Sequence, residues 1–210
     1  MAGEGAKAED FLPPHWKIQQ KAAGDLNADG KTDYVFDMKI DADAKDTDAL
    51  NYLESLRRMK TDDDWISGAG AIVIVDSRGD GKLHFSDFNR ELTGADSLEI
   101  KNGVLTIQYN TGGNYHTDAT YRFRRSQKTS GFTLIGFDVE HYCNSCPEST
   151  EAAWKTSENY LTNTRVETTN KTGRLGLLPS DKQMKILPLE VDFHYARFND
   201  NVYGRDVRAF

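Results

Sequence analysis

The chain has 210 residues, of which 38% are hydrophobic and 10% aromatic, a composition typical of a folded domain. This length is enough for one large domain or two small ones, and we expect a single domain. The formal net charge of -7 would repel nucleic acid phosphates and anionic lipid, so nucleic acid is not an expected partner. No apolar run approaches the ~20 residues of a transmembrane helix, so the sequence predicts no transmembrane segment.

The beginning of the chain differs in composition from the rest. Residues 1–14 are mostly small or polar and end in a pair of prolines, so we expect a flexible leader there. The apolar core of a signal peptide does not occur in this segment. A single β-rich, calcium-binding domain is predicted for residues 15–210.

Several segments from residue 34 onward are rich in β-branched and aromatic residues, and this composition predicts strands. Several alternate apolar with polar residues, as residues 105–109 do, and this is the pattern of half-buried antiparallel strands. Asn102-Gly103 supplies the positive φ angles of a tight hairpin turn. The predicted strands are 34–40, 71–75, 83–88, 98–100, 104–109, 120–124, 132–139, 186–189 and 191–195.

Two segments have helical character. In residues 47–59, leucines recur at a spacing of three, and they follow a candidate N-cap at Thr47 or Asp48. Residues 148–159 carry a second, weaker helical pattern. The sequence therefore predicts a mainly β fold, a single antiparallel β-meander or sandwich-like domain with one or two short helices.

Residues 25–33, with the sequence DLNADGKTD, carry oxygen donors at alternate positions. Calcium takes six to eight oxygen ligands, and Gly30 at position six permits the sharp turn that directs alternate residues to one point. A helical EF-hand has a bidentate Glu at position twelve, whereas this chain has Phe36 there in a predicted strand. The donors at positions one, three, five, seven and nine are the side chains of Asp25, Asn27 and Asp29, the carbonyl of Lys31 and the side chain of Asp33.

Residues 24–34 resemble the calcium loop of FG-GAP and VCBS-type repeats of bacterial exported proteins, in which such a loop joins two strands. The resemblance implies one structural Ca²⁺ bound by Asp25, Asn27, Asp29, the Lys31 carbonyl and Asp33. Calcium sites in modules outside the cell bind at ~10⁻⁴ to 10⁻³ M, so occupancy requires millimolar calcium. We therefore expect a periplasmic or secreted protein.

Residues 76–84, with the sequence DSRGDGKLH, repeat part of the loop pattern. Arg78 stands at position three and His84 at position nine, and an arginine among the ligands would repel a metal ion. We therefore predict an ordinary hairpin turn at this place. A propeller is not expected, because repeat folds need several similar units and the sequence has one complete copy.

Cys143 and Cys146 form a CxxC pair, for which we predict a local disulfide in an exported protein. Three alternatives stay open. A zinc site with His141 would need a fourth ligand such as His116 or His194, and a redox pair would normally open a helix. The third alternative is that both cysteines are free thiols.

Known catalytic motifs do not occur in the sequence: there is no GxSxG, phosphate-binding loop or HExxH. We therefore predict no catalytic residues and favour a non-enzyme.

Residues 112–116, GGNYH, form a polar and aromatic loop of the kind that lines a binding face. We expect a protein-interaction module, of inhibitor or immunity type, that binds another protein or a glycan. The alternative is a calcium-stabilised hydrolase that cleaves cell-wall or polysaccharide substrates with two carboxylates.

Overall fold

The computed structural model describes residues 4–12, 16–40, 70–78, 80–129, 131–143, 153–170, 180–186, 188, 191–193 and 196. In these ranges the chain forms twelve strands and one short 3₁₀ helix, Ala8–Phe11. The strands are β1 Glu4–Gly5, β2 Trp16–Gly24, β3 Asp33–Ile40, β4 Gly70–Ser77, β5 Leu83–Asn89, β6 Ser97–Lys101, β7 Val104–Gly112, β8 Tyr115–Arg125, β9 Phe132–Cys143, β10 Ala153–Asn159, β11 Thr164–Asn170 and β12 Ser180–Lys185.

These strands form two antiparallel sheets. One has five strands in the order β1-β5-β4-β3-β2, and the other has seven in the order β12-β11-β10-β9-β8-β7-β6. Strands that follow each other in sequence are neighbours in each sheet, except that β1 pairs with β5. The predicted mainly β, antiparallel meander is therefore confirmed. In the part of the chain that the structure describes, no helix is long and apolar enough to cross a bilayer.

One apolar core is shared by the inward faces of both sheets. Val35 and Ile72 from the five-stranded sheet belong to the same buried cluster as Ile107 and Tyr121 from the seven-stranded sheet. The ring of Tyr121 lies 4.8 Å from that of Phe137, between centroids. Burial of each such side chain stabilises the fold by about 2 kcal/mol, so this shared core is what holds the sheets face to face.

A second apolar cluster covers the outer face of the five-stranded sheet. Phe36 and Val73 are fully buried there, together with Phe11 from the 3₁₀ helix. Phe11 lies within the predicted flexible leader, residues 1–14. Within that segment, the apolar side chain of Phe11 packs on an apolar face of the sheet.

Two local predictions can be compared directly with the structure. Asn102 and Gly103 have φ angles of 52° and 73° and connect β6 to β7, which confirms the tight hairpin turn. The helix predicted for 148–159 is wrong over its described part, where Ala153–Asn159 is strand β10. Pairing with β9 on one side and β11 on the other outweighs its weak helical pattern. The helix predicted for 47–59 lies outside the described residues.

Candidate metal centre at the β2–β3 loop

The predicted calcium loop, residues 25–33, connects β2 to β3 at one end of the five-stranded sheet. β2 ends at Gly24, β3 begins at Asp33, and these two residues pair across the hairpin. Gly30 has a φ of 79°, in the left-handed region that glycine adopts without strain. The prediction that a strand and not a helix follows the loop is confirmed.

The side chains of the loop accept hydrogen bonds from its own backbone. Asp25 accepts from the amides of Asp29 at 3.2 Å and Gly30 at 2.9 Å. The Asn27 side chain also accepts from the Asp29 amide, at 3.0 Å, and the Asp29 carboxylate accepts from Lys31 at 2.9 Å. The hydrogen bonds that Asp25 itself accepts, above all that from the Gly30 amide, lower the pKa of Asp25. The backbone thus keeps the loop curved around its acceptor side chains.

Asp33, at position nine, is fully buried at the base of the loop. One carboxylate oxygen accepts from the Leu26 amide at 2.8 Å, and the other accepts from the Ser77 amide on β4 at 2.9 Å. Burial raises the pKa of Asp33, and the charges of Asp29 and Asp76 raise it further. Among the described residues no Lys, Arg or His forms an ion pair with Asp33. Its charge is therefore compensated by amide dipoles alone.

The donor atoms of the loop are oxygens, which hard cations prefer, and they stand at the sequence positions of a calcium loop. In the present conformation, however, the carboxylates of Asp25, Asp29 and Asp33 do not bring one oxygen each within 4.8 Å of the others. The ligand oxygens of one calcium ion lie 2.3–2.6 Å from it, hence within about 5 Å of one another. The donor types fit calcium, and binding would require these three carboxylates to come closer together than they lie here.

One group of three potential ligands does meet within 4.8 Å among the described residues, namely Glu4, Asp80 and His84. Nε2 of His84 lies 2.8 Å from the Asp80 carboxylate, and Nζ of Lys82 lies 2.8 Å from that of Glu4. The group is thus an ion-pair network that already contains its own cation. Sequence reasoning missed it because Glu4 reaches His84 only through the β1–β5 pairing.

Cys143 ends β9, is buried and is disulfide-bonded. Its predicted partner, Cys146, lies outside the described residues, as does His194. His141, the alternative zinc ligand, places its ring between those of Tyr115 and Trp154. A disulfide-bonded sulfur is not the thiolate that zinc requires, so the observed state of Cys143 favours the disulfide over the zinc site.

The rings of Tyr115, His141 and Trp154 form a row across β8, β9 and β10, here called the aromatic row. Centroid distances along it are 6.3 Å and 5.7 Å, and the planes are within 10° and 22° of parallel. Tyr115 is 45% exposed at the tip of the β7–β8 hairpin. The turn begins at Gly112, where a Cβ would lie 1.9 Å from the Tyr115 carbonyl oxygen, so only glycine fits.

The loop and the aromatic row lie at opposite ends of β7. A Cβ on Gly103, just before β7, would lie 3.9 Å from the Leu26 carbonyl of the loop, whereas Tyr115 follows the far end of the strand. Nine residues of β7 separate the two ends, which corresponds to about 30 Å. An ion in the loop would therefore not touch a ligand on the aromatic row.

No protein family, no curated protein and no solved structure matches this chain.

Proposed function

We propose that this protein is a calcium-stabilised, non-catalytic binding module that acts in the periplasm or outside the cell. The observation that carries the proposal is Asp33, a buried carboxylate with no cationic partner among the described residues, at the base of an oxygen-rich loop. A Ca²⁺ ion would compensate this charge. Its ligands would be Asp25, Asn27, Asp29, the Lys31 carbonyl and Asp33.

The ion would act on stability and not on chemistry. Asp33 links the loop to β4 through Leu26 and Ser77, so an ion held by Asp33 would fix the junction of β2, β3 and β4. Binding that favours only the folded state adds RT ln(1 + [Ca²⁺]/Kd) to the free energy of unfolding, or about 1.4 kcal/mol at a tenfold excess over Kd. Millimolar calcium outside the cytoplasm and the oxidised Cys143 both support an exported protein.

Calcium is expected to raise the melting temperature of the parent protein by about 5 °C at 10 mM. Asp29→Ala should abolish this shift, because it removes the ligand at position five. Asp80→Ala is the matched control: it changes the same residue type at position five of the β4–β5 turn and should leave the shift unchanged. The measurement is thermal unfolding followed by circular dichroism, with calcium and with EGTA. An equal shift in the parent and in Asp29→Ala would refute the site.

The partner is proposed to contact Tyr115, the exposed end of the aromatic row. Tyrosine and tryptophan side chains supply much of the binding energy at interfaces because they bury a large area with few rotatable bonds. Tyr115 is exposed at a hairpin tip and is held by rings on its own sheet, which limits the entropy lost on binding. The partner would be another protein, as for an inhibitor or immunity factor, or a glycan.

Tyr115→Ala should weaken partner binding at least tenfold, which corresponds to about 1.4 kcal/mol. Leu161→Ala is the control, since Leu161, 61% exposed, is the other exposed large apolar side chain among the described residues. Affinity is measured by biolayer interferometry, with partners taken from cross-linking in the native host and from a glycan array. Equal losses in both variants would show that the aromatic row is not the contact surface. Turnover of cell-wall or polysaccharide substrates would instead support the hydrolase alternative.

A further inference from the structure

The β4–β5 turn and the β2–β3 loop share residue types at several corresponding positions. We call residues 25–33 the first loop and residues 76–84 the second loop. Asp, Asp, Gly and Lys occupy positions one, five, six and seven of both. Each loop joins neighbouring antiparallel strands at the same end of the five-stranded sheet, and the glycines at position six have φ angles of 79° and 75°.

One hydrogen bond is also common to both loops. The aspartate at position five accepts from the amide at position seven, at 2.9 Å for Asp29 and 3.0 Å for Asp80. The strand pairing differs, because Asp76 pairs with His84 whereas Asp33 pairs with Gly24. The correspondence therefore covers the residue types and the turn at positions five to seven.

The loops differ in what compensates the carboxylate at position one. Asp25 accepts hydrogen bonds from amides of its own loop. Asp76, which is 2% exposed, instead forms ion pairs with Arg78 at 3.2 Å and Arg125 at 3.0 Å. Arg78 stands at position three, where the first loop has Asn27. Each oxygen of the Asp76 carboxylate is thus held by a guanidinium group.

The two loops also differ in net charge. The first loop has three aspartates against one lysine, a net charge of -2, whereas the second has two aspartates against Arg78 and Lys82, a net charge of 0 with His84 neutral. Position nine is the anionic Asp33 in the first loop. In the second it is His84, which lies 2.8 Å from the Asp80 carboxylate. Only the first loop therefore carries an excess of negative charge.

We infer that the second loop is a copy of the calcium loop in which the protein's own guanidinium groups replace the ion. Arg78 and Arg125 hold the carboxylate that a metal would otherwise bind, and Arg125, on β8, ties the five-stranded sheet to the seven-stranded sheet. The inference rests on the proposed calcium role of the first loop. It assigns one calcium ion to each chain, with Arg78 and His84 as the residues that exclude a second.

The test is to restore the ligands of the second loop with Arg78→Asn and His84→Asp in one variant. Native mass spectrometry and isothermal titration calorimetry with millimolar CaCl₂ should then count two ions per chain, against one for the parent. Adding Arg125→Gln, which frees the other oxygen of Asp76, should tighten the second site. Lys39→Asp is the control for charge: it makes the same change of -2 at the opposite end of β3 and should leave one ion.

The numbers of ions bound by the parent and by the double variant distinguish failure of this inference from failure of the proposed function. One ion in both parent and double variant would overturn the inference and leave the first site intact. No ion in the parent, whatever the double variant binds, would refute the first site and with it the inference that rests on it. Should the double variant unfold without calcium, Arg78→Asn alone is the milder test. It should gain a weaker second ion, and failure to do so would count against the inference.

Discussion

Replacing Glu158 with alanine is expected to lower the free energy of unfolding by about 3–5 kcal/mol, because it leaves Arg165 buried without its nearest carboxylate. The two residues are opposite each other on β10 and β11 and are 4% and 5% exposed. Nε of Arg165 lies 2.8 Å from one Glu158 oxygen, and the Tyr160 hydroxyl donates to the other. Glu167 is farther away, 3.8 Å from the guanidinium, and would compensate only in part.

Two further variants distinguish loss of the ion pair from loss of volume. Glu158→Gln keeps the shape and an acceptor for Tyr160, and should lie between the parent and Glu158→Ala. Glu158→Leu combined with Arg165→Met removes both buried charges of the pair and should recover most of the lost stability. Urea denaturation measures the free energy of unfolding of the parent and of each variant. A loss below about 1 kcal/mol for Glu158→Ala would mean that the pair is not buried as described.

Replacing Asp37 with alanine is expected to cost about 3 kcal/mol, because buried amides lose their acceptor. Asp37 lies on β3 and is 1% exposed. Its carboxylate accepts from the amides of Gly94 at 2.9 Å and Ala95 at 3.0 Å, and from the Thr93 hydroxyl at 3.2 Å. These bonds attach the β5–β6 connection to the sheet, so chemical denaturation should show a lower midpoint for Asp37→Ala.

The pH dependence of stability provides a separate readout at this residue. Burial raises the pKa of Asp37 above its ordinary value of 3.8, so the folded state holds this proton more tightly than the unfolded state. The contribution of Asp37 to stability is therefore greatest at low pH and declines as pH rises from 3.8 through the raised pKa. Asp37→Asn keeps an acceptor for the amides and lets the Thr93 hydroxyl accept, so it should fold well without that decline. Identical pH profiles for the two proteins would contradict the assignment.

Strands with local apolar alternation could be predicted from the sequence, and polar strands could not. Residues 104–109 and the Asn102-Gly103 turn carry their own signals and form β7 and its hairpin. β11 and β12 read TRVETTN and SDKQMK, and few apolar residues mark them because they lie toward one edge of the seven-stranded sheet. The strand predicted for 191–195 appears among its described residues as a single bridge from Asp192 to Thr133.

The candidate metal loop could be located because its donors are local in sequence. Spacing alone placed Asp25, Asn27 and Asp29 in one loop. It could not show that Asp33 accepts from Ser77, 44 residues away, or that Arg125 on the other sheet pairs with Asp76. Those contacts depend on strand pairing and on the packing of the sheets, which no local pattern encodes. The calcium itself stays a prediction until the ion is measured.

The pairing of β1 with β5 has a consequence for the order of folding. Every other strand pair joins neighbours along the chain, whereas Glu4 pairs with His84 across 80 residues through only two residue pairs. Closing a loop of this length costs more entropy than two pairs return, so β1 should dock after the rest of its sheet has formed. In native-state hydrogen exchange its amides should therefore open early and independently of the core, while those of β3 and β4 exchange only through global unfolding.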